Sequence, residues 1–245
     1  MSGHQIDLNA DLGEGIGDDA SMMPLISSAN IACGFHAGTP RILVRSCASA
    51  VEHGVRIGAQ VSYPDLAGFG RRFMDLSPDD LIADVLYQVG ALRALATSVG
   101  GTVDYVKPHG ALYNTVVHHE VQARALVAAV GTLGLPLMTL PGSLAQRFAH
   151  AAGVGVITEA FADRGYTREG TLVPRAEPGA LLTDSDEIAA RVVDLALTGR
   201  IRAVDGTMLD ADIESICLHG DTPGAVAHAH AVRAALDAAD VTVTR

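Results

Sequence analysis

Seventeen residues of the chain are lysine or arginine, and a single one is lysine: Lys107, within Val106-Lys107-Pro108-His109-Gly110-Ala111-Leu112-Tyr113-Asn114. An ammonium is compact and its proton affinity moves on burial, so it can do chemistry that a guanidinium cannot. His109 lies two residues on, and in an extended stretch the two side chains lean to the same side. Together they can polarise a carbonyl and move a proton, with Asn114 as a nearby amide for a substrate. The competing account is an arginine-biased composition that leaves one structural lysine.

Further groups carry chemistry elsewhere. Asn9, Asp11 and Glu14 put an amide and two carboxylates at the end of a strand-like segment, and Gly13 and Gly15 let the backbone approach a ligand. One acid can take a proton from water while the other stays ionised, if their surroundings separate their pKa values; a helix N-cap with acidic first-turn residues is the alternative. His36 stands between glycines just before a helix start, a position suited to an anionic group. Arg71 and Arg72, in a long loop, read as a substrate clamp or a subunit contact. Glu159, Asp163 and Arg164 offer an acid and an anion-binding arginine, or an internal Asp/Arg pair. His219 and Asp221, in His219-Gly220-Asp221, repeat the strand-end histidine theme. His53, His118, His119, His150, His228 and His230 fall on helical segments or their edges and read as solvated.

These residues need elements to bring them together. Apolar strands are expected at 5–9, 29–33, 55–60, 103–106, 137–140, 154–158, 215–218 and 241–244. Between them lie helices with recognisable punctuation: Thr39-Pro40 opening one that closes at Gly54, Ser77-Pro78-Asp79-Asp80 opening one to Ser98, and segments at 120–133, from 143, at 186–197, and from Thr222-Pro223 to Ala238. Alternating βα units imply right-handed crossovers and a parallel α/β sheet, open or closed into a barrel, in one domain spanning 1–245. The polar motifs all follow strands. In a parallel sheet those ends share one side, so Asp11, His36, His109, Glu159 and His219 should converge.

Composition removes other classes. A formal net charge of −11, with acidic residues spread along the chain, argues against nucleic acid. There is no apolar run of the roughly 18 residues that cross a bilayer and no signal-peptide pattern, so a cytoplasmic protein off the membrane is expected. Cys33, Cys47 and Cys217 lack paired spacing and read as buried, reduced thiols. Phosphate-loop, serine-elbow and His-Glu-x-x-His motifs are missing, so use of ATP would call for help from a partner.

The ordered set Asp7-Leu8-Asn9-Ala10-Asp11-Leu12-Gly13-Glu14, Asn30 to Gly38, Gly68 to Arg72, Lys107 to Asn114, Phe161 to Arg164 and His219 to Asp221 resembles the LamB/YcsF family over nearly the whole chain. The resemblance implies a seven-stranded, TIM-like (β/α) barrel similar to the glycoside hydrolase/deacetylase superfamily. It also implies conversion of 5-oxo-L-proline to L-glutamate with hydrolysis of ATP to ADP and phosphate, in company with 5-oxoprolinase subunits B and C. On that chemistry Asp11 or Glu14 activates water, Lys107 and His109 stabilise charge on the oxygen or phosphate, and Arg71 or Arg72 holds the substrate carboxylate. Asn9, His36, Asn114, Glu159, Asp163, Arg164, His219 and Asp221 complete the substrate-binding set. The family commonly has Gly-Ala-His-Pro where this chain reads Gly58-Ala59-Gln60-Val61, and Gln60 neither shuttles a proton nor readily binds a transition metal. Deacetylase-like relatives hold a divalent metal at strand ends, a set that Asp11, His36 and His109 would imitate. A stand-alone metal-dependent amidase or deacetylase acting on acylated sugars, and a non-catalytic scaffold, are the alternatives. Self-association into a homo-oligomer stays open.

Overall fold

The structure, a computed structural model, describes residues 4–220 and 224–244. In chain order its elements are β1 (Gln5–Leu12), α1 (Asp19–Met22), β2 (Ser28–Ala32), α2 (Pro40–His53), β3 (Arg56–Val61), α3 (Pro78–Ser98), β4 (Val103–Pro108), α4 (Gly110–Thr115) and α5 (Glu120–Leu133). Then follow β5 (Leu137–Thr139), α6 (Leu144–Ala151), β6 (Val156–Phe161), α7 (Ser185–Thr198), β7 (Arg200–Arg202), β8 (Met208–Asp210), β9 (Ser215–Leu218), α8 (Ala225–Ala238) and β10 (Thr242–Val243). Strands β1 to β6 and β9 run parallel in that order, and β9 pairs back onto β1 to close a seven-stranded barrel.

Local chemistry explains the helix starts. Thr39 accepts a hydrogen bond from the Ile42 amide ahead of Pro40, Ser77 caps α3 from the Asp80 amide, and the Asp184 side chain accepts from the amides of both Asp186 and Glu187. The remainder of the pattern differs from expectation at several short elements, α1 among them. The last strand is not a stave: β10 lies beside the first residues of β1, with Gln5 opposite Thr242, outside the ring. α4 and the β7–β8 antiparallel hairpin were not anticipated, since segments of six and three residues are too short to show a period. The expected helix start at Thr222-Pro223 lies outside the described residues, and α8 is described from Ala225.

The seven barrel strands are largely buried on both sides, yet their two faces differ in kind. On β1, Leu8, Ala10 and Leu12 join the apolar cluster shared with the helices, while the intervening Asp7, Asn9 and Asp11 bond to polar groups of other strands around the barrel axis. Asn30 donates to Asn9 at 2.7 Å and to Asp11 at 2.9 Å, and Tyr105 donates to Asn30 at 2.6 Å. Asn9 donates to Ser215 at 2.7 Å, and Asp7 accepts from Ser27 and Ser28 at 2.7 Å each and from Ser215. Gly58 opens the room for Tyr105, because a Cβ there would collide with the edge of the Tyr105 ring. The hydrophobic core is therefore a ring-shaped layer between strands and helices, and the axis is polar. Among the described residues, no helix is long and apolar enough to cross a membrane.

Candidate active site

Strand parity sends Lys107 to the axis, where its side chain is 2% exposed. Its Nζ lies 2.8 Å from Glu159 Oε2, 3.2 Å from Asp11 Oδ1 and 3.1 Å from both Asn9 Oδ1 and Cys217 Sγ. Burial acts against the charge, but Asp11, Cys217 and Glu159 outweigh it and hold the ammonium pKa well above its usual value. Lys107 is thus a fixed cation. Burial likewise opposes ionisation of Asp11, and Lys107, His219, His109 and the Asn30 amide overcome it, so the carboxyl is held far below its ordinary range. Glu159 goes the other way: burial raises its pKa despite Lys107. The Cys33, Cys47 and Cys217 thiols are free and buried, and burial pushes all three upward.

One layer nearer the carboxyl ends, Glu14, His36, Gln60 and His109 pack together. His36 and His109 stack with ring centres 4.0 Å apart, and Glu14 Oε1 lies 3.3 Å from His36 Nε2 and 3.6 Å from His109 Nδ1. His109 Nε2 lies 3.1 Å from the Phe69 carbonyl, and the Gln60 amide reaches His109 Nδ1 at 2.9 Å and Glu14 at 3.1 Å. Burial and the adjacent His36 depress the His109 pKa well below the usual imidazole range. Gly70, at φ 66°, closes this layer: an added Cβ would meet Ser62, His36 and His109.

Buried Glu14, His36 and His109 offer ligand atoms within 4.8 Å of one another. They suit a divalent ion of the zinc type, with the Phe69 carbonyl orienting His109 as outer partners of metal ligands do. Gln60 Oε1, buried and without a hydrogen-bond partner, is the oxygen that a turned amide would present there. Such an ion would supply Lewis acidity. Glu14, rather than Asp11, completes this triad.

A cavity of about 530 Å³ opens above these layers, and Asp11, Lys107, His109 and His219 all reach its wall. Arg71, Asn114, His118, Tyr113 and Phe161 line it, as do Arg164 and residues 171–175 of the long segment after β6. Asn9, Glu14, His36 and Glu159 lie behind that lining and support it. Arg72 points elsewhere: its side chain is 67% exposed and pairs with Asp65. Of the two readings of Asp163 and Arg164, an acid with an anion-binding arginine or an internal pair, the structure gives a mixture: Asp163 bonds His219 Nδ1 at 2.7 Å and Arg164 donates to the carbonyls of Ala180 and Val173, while the two charges still act on one another. Asp221 lies outside the described residues. His228, expected in solvent, is buried against Ser185, and His118 edges the cavity. Arg175, unmarked by any motif, brings a second exposed arginine to the mouth beside Arg71.

A closed ring of parallel strands with its titratable groups at the carboxyl ends is the TIM-like (β/α)7 barrel class. A family 4 carbohydrate esterase from Streptomyces lividans shares the fold (TM-score 0.50 over 98% of this chain and 91% of that one) at 10% identity, a likeness of fold alone. The chain itself belongs to the LamB/YcsF family, which matches residues 6–245. It is 58% identical to the A subunit of 5-oxoprolinase from Kocuria rhizophila, over 97% of each chain. A lactam utilization protein from Thermus thermophilus superimposes with TM-score 0.93 at 44% identity, covering 98% of this chain and 99% of that one.

Proposed function

We propose that this chain is the ring-opening component of an ATP-dependent 5-oxoprolinase, converting 5-oxo-L-proline to L-glutamate together with B and C subunits. Relatives named as the A subunit of 5-oxoprolinase, matched over nearly their full length, support this reading. The observation that carries it is the Lys107 ammonium, clamped between Asp11 and Glu159 at the floor of a cavity whose mouth bears Arg71 and Arg175. A small polyanion, such as a phosphorylated lactam acid, matches one buried cation inside and two exposed ones at the mouth.

A five-membered lactam is a poor electrophile. Phosphorylation of its carbonyl oxygen, with ATP as the donor and the partner subunits as the site, makes the ring carbon open to a weakly activated water. That fits the carboxylate at hand: Asp11 lies on the cavity wall and is ionised, but its depressed pKa makes it a feeble base that needs an activated substrate. Glu14 stands behind it and steadies His109. Lys107 stabilises charge on the carbonyl or phosphoryl oxygen, and Arg71 holds the substrate carboxylate.

The Glu14, His36 and His109 triad favours a second reading, a metal-dependent amidase that needs no ATP. One experiment separates the two: glutamate release from 5-oxoproline by the chain with its partner subunits, with and without ATP and with and without a chelator. The first reading expects ATP-dependent turnover lost in Asp11→Asn; turnover without ATP that a chelator stops would replace it by the second.

A further inference from the structure

The mouth of the cavity holds an arrangement that water activation leaves unused. His219, just beyond β9, lines the cavity, and Asp163, just beyond β6, takes its Nδ1 at 2.7 Å with both side chains buried. The imidazole lies nearly flat on Phe161, ring centres 5.3 Å apart at 17°, and the same ring has Lys107 Nζ 5.2 Å from its centre. With Nδ1 committed to a carboxylate and the ring fixed by stacking, the remaining nitrogen, Nε2, is the one left for a ligand.

Opening a lactam needs a proton on the ring nitrogen, because an amide nitrogen leaves only as an amine. Water activation and carbonyl polarisation do not supply it. Resting on the proposed ring-opening function, we infer that His219 is the general acid of this site, positioned by Asp163, and that it protonates the departing ring nitrogen. The oxygen of water bonds to the ring carbon, and the C–N bond breaks with its electron pair left on nitrogen. The proton on Nε2 forms the new N–H bond. The proton shed by the attacking water passes to the carboxylate side of the cavity and from there restores the imidazolium. Where the carbonyl oxygen carries a phosphoryl group, the same C–N cleavage leaves an acyl phosphate, and a second water then releases phosphate and the free carboxylate.

Other cavity groups suit this task less. The ammonium of Lys107 is locked between carboxylates, and the guanidinium groups of Arg71, Arg164 and Arg175 hold their protons too firmly. His118 sits on the turn after α4, with no carboxylate among its described partners. His219 and His109 are also pushed apart, as an acid and a neutral partner should be. Burial opposes charge on both, but Asp163 and, from β1, Asp11 raise His219 against burial and Arg175, whereas His109 is depressed.

The acid form of His219 exists below its raised pKa, so turnover should fall as pH rises through that value. In the reconstituted complex, replacing Asp163 by Asn should move this alkaline limb down by about 1–3 pH units, the span of one lost neighbouring charge. His219→Gln should cut kcat about 100-fold or more with little change in KM. Equal limbs in wild type and Asp163→Asn would overturn the inference, whatever the drop in rate, because a purely structural role lowers the profile without sliding it. Should these variants fail to fold, an NMR titration of the His219 ring in the wild-type chain decides: a value at or below ordinary imidazole sinks the acid. A wild-type complex that makes no glutamate would instead sink the parent reading, and the two failures are distinct.

Discussion

At the scale of single residues, Lys107 is where sequence and structure meet most closely. Its rarity marked it, and the barrel gives the reason for an ammonium: a compact cation fits between Asp11 and Glu159, whereas a planar guanidinium would need room that Asn9 and Cys217 already occupy. Lys107→Met should therefore cost about 3–5 kcal/mol in urea unfolding, since it strands buried carboxylates without their counter-charge. A loss below about 1 kcal/mol would mean that the carboxylates do not depend on the ammonium. What the residues could not announce was pairing. Asp163 beside Arg164 reads as an acid with an anion-binding arginine or as a local pair, and neither announces that strand closure brings His219 from a distant segment onto Asp163 while Arg164 donates to backbone carbonyls. Gln60 reads as a departure from a histidine position, and only the fold shows its amide bridging Glu14 and His109.

Among elements, those with caps and period were legible: α2, α3, α5 and α7 begin within a residue of their sequence signals. The short pieces were not. α4 starts immediately after His109, and its Ala111 amide bonds the Gly70 carbonyl at 2.8 Å, so the loop after β3 is tied to the end of β4 directly over the stacked histidines. Gly70 can serve there because it lacks a side chain and adopts a positive φ. Gly70→Ala should lose about 1–3 kcal/mol to backbone strain and displace His36 and His109. Thermal melts and turnover measured together test this: a variant with full kcat would show that the two rings do not need this ceiling.

For the whole molecule, the sequence points to alternating βα units and hence to strand ends on one side, but not to ring closure, because an open sheet and a barrel share that pattern. The resemblance, not the period, supplies seven staves. Closure leaves the apolar layer outside the strands, and that layer should govern stability alone. Leu92→Ala, at a fully buried position of α3, should cost about 2–5 kcal/mol while the folded fraction keeps its kcat and KM. A marked change in KM would show that the helices reach the chemistry. Position parity thus assigns two trades to one strand: at Leu8, Ala10 and Leu12 the chain holds itself up, and at Asp7, Asn9 and Asp11 it handles charge. A lineage can rewrite the second set without disturbing the first, which is how one staved frame comes to host unrelated reactions.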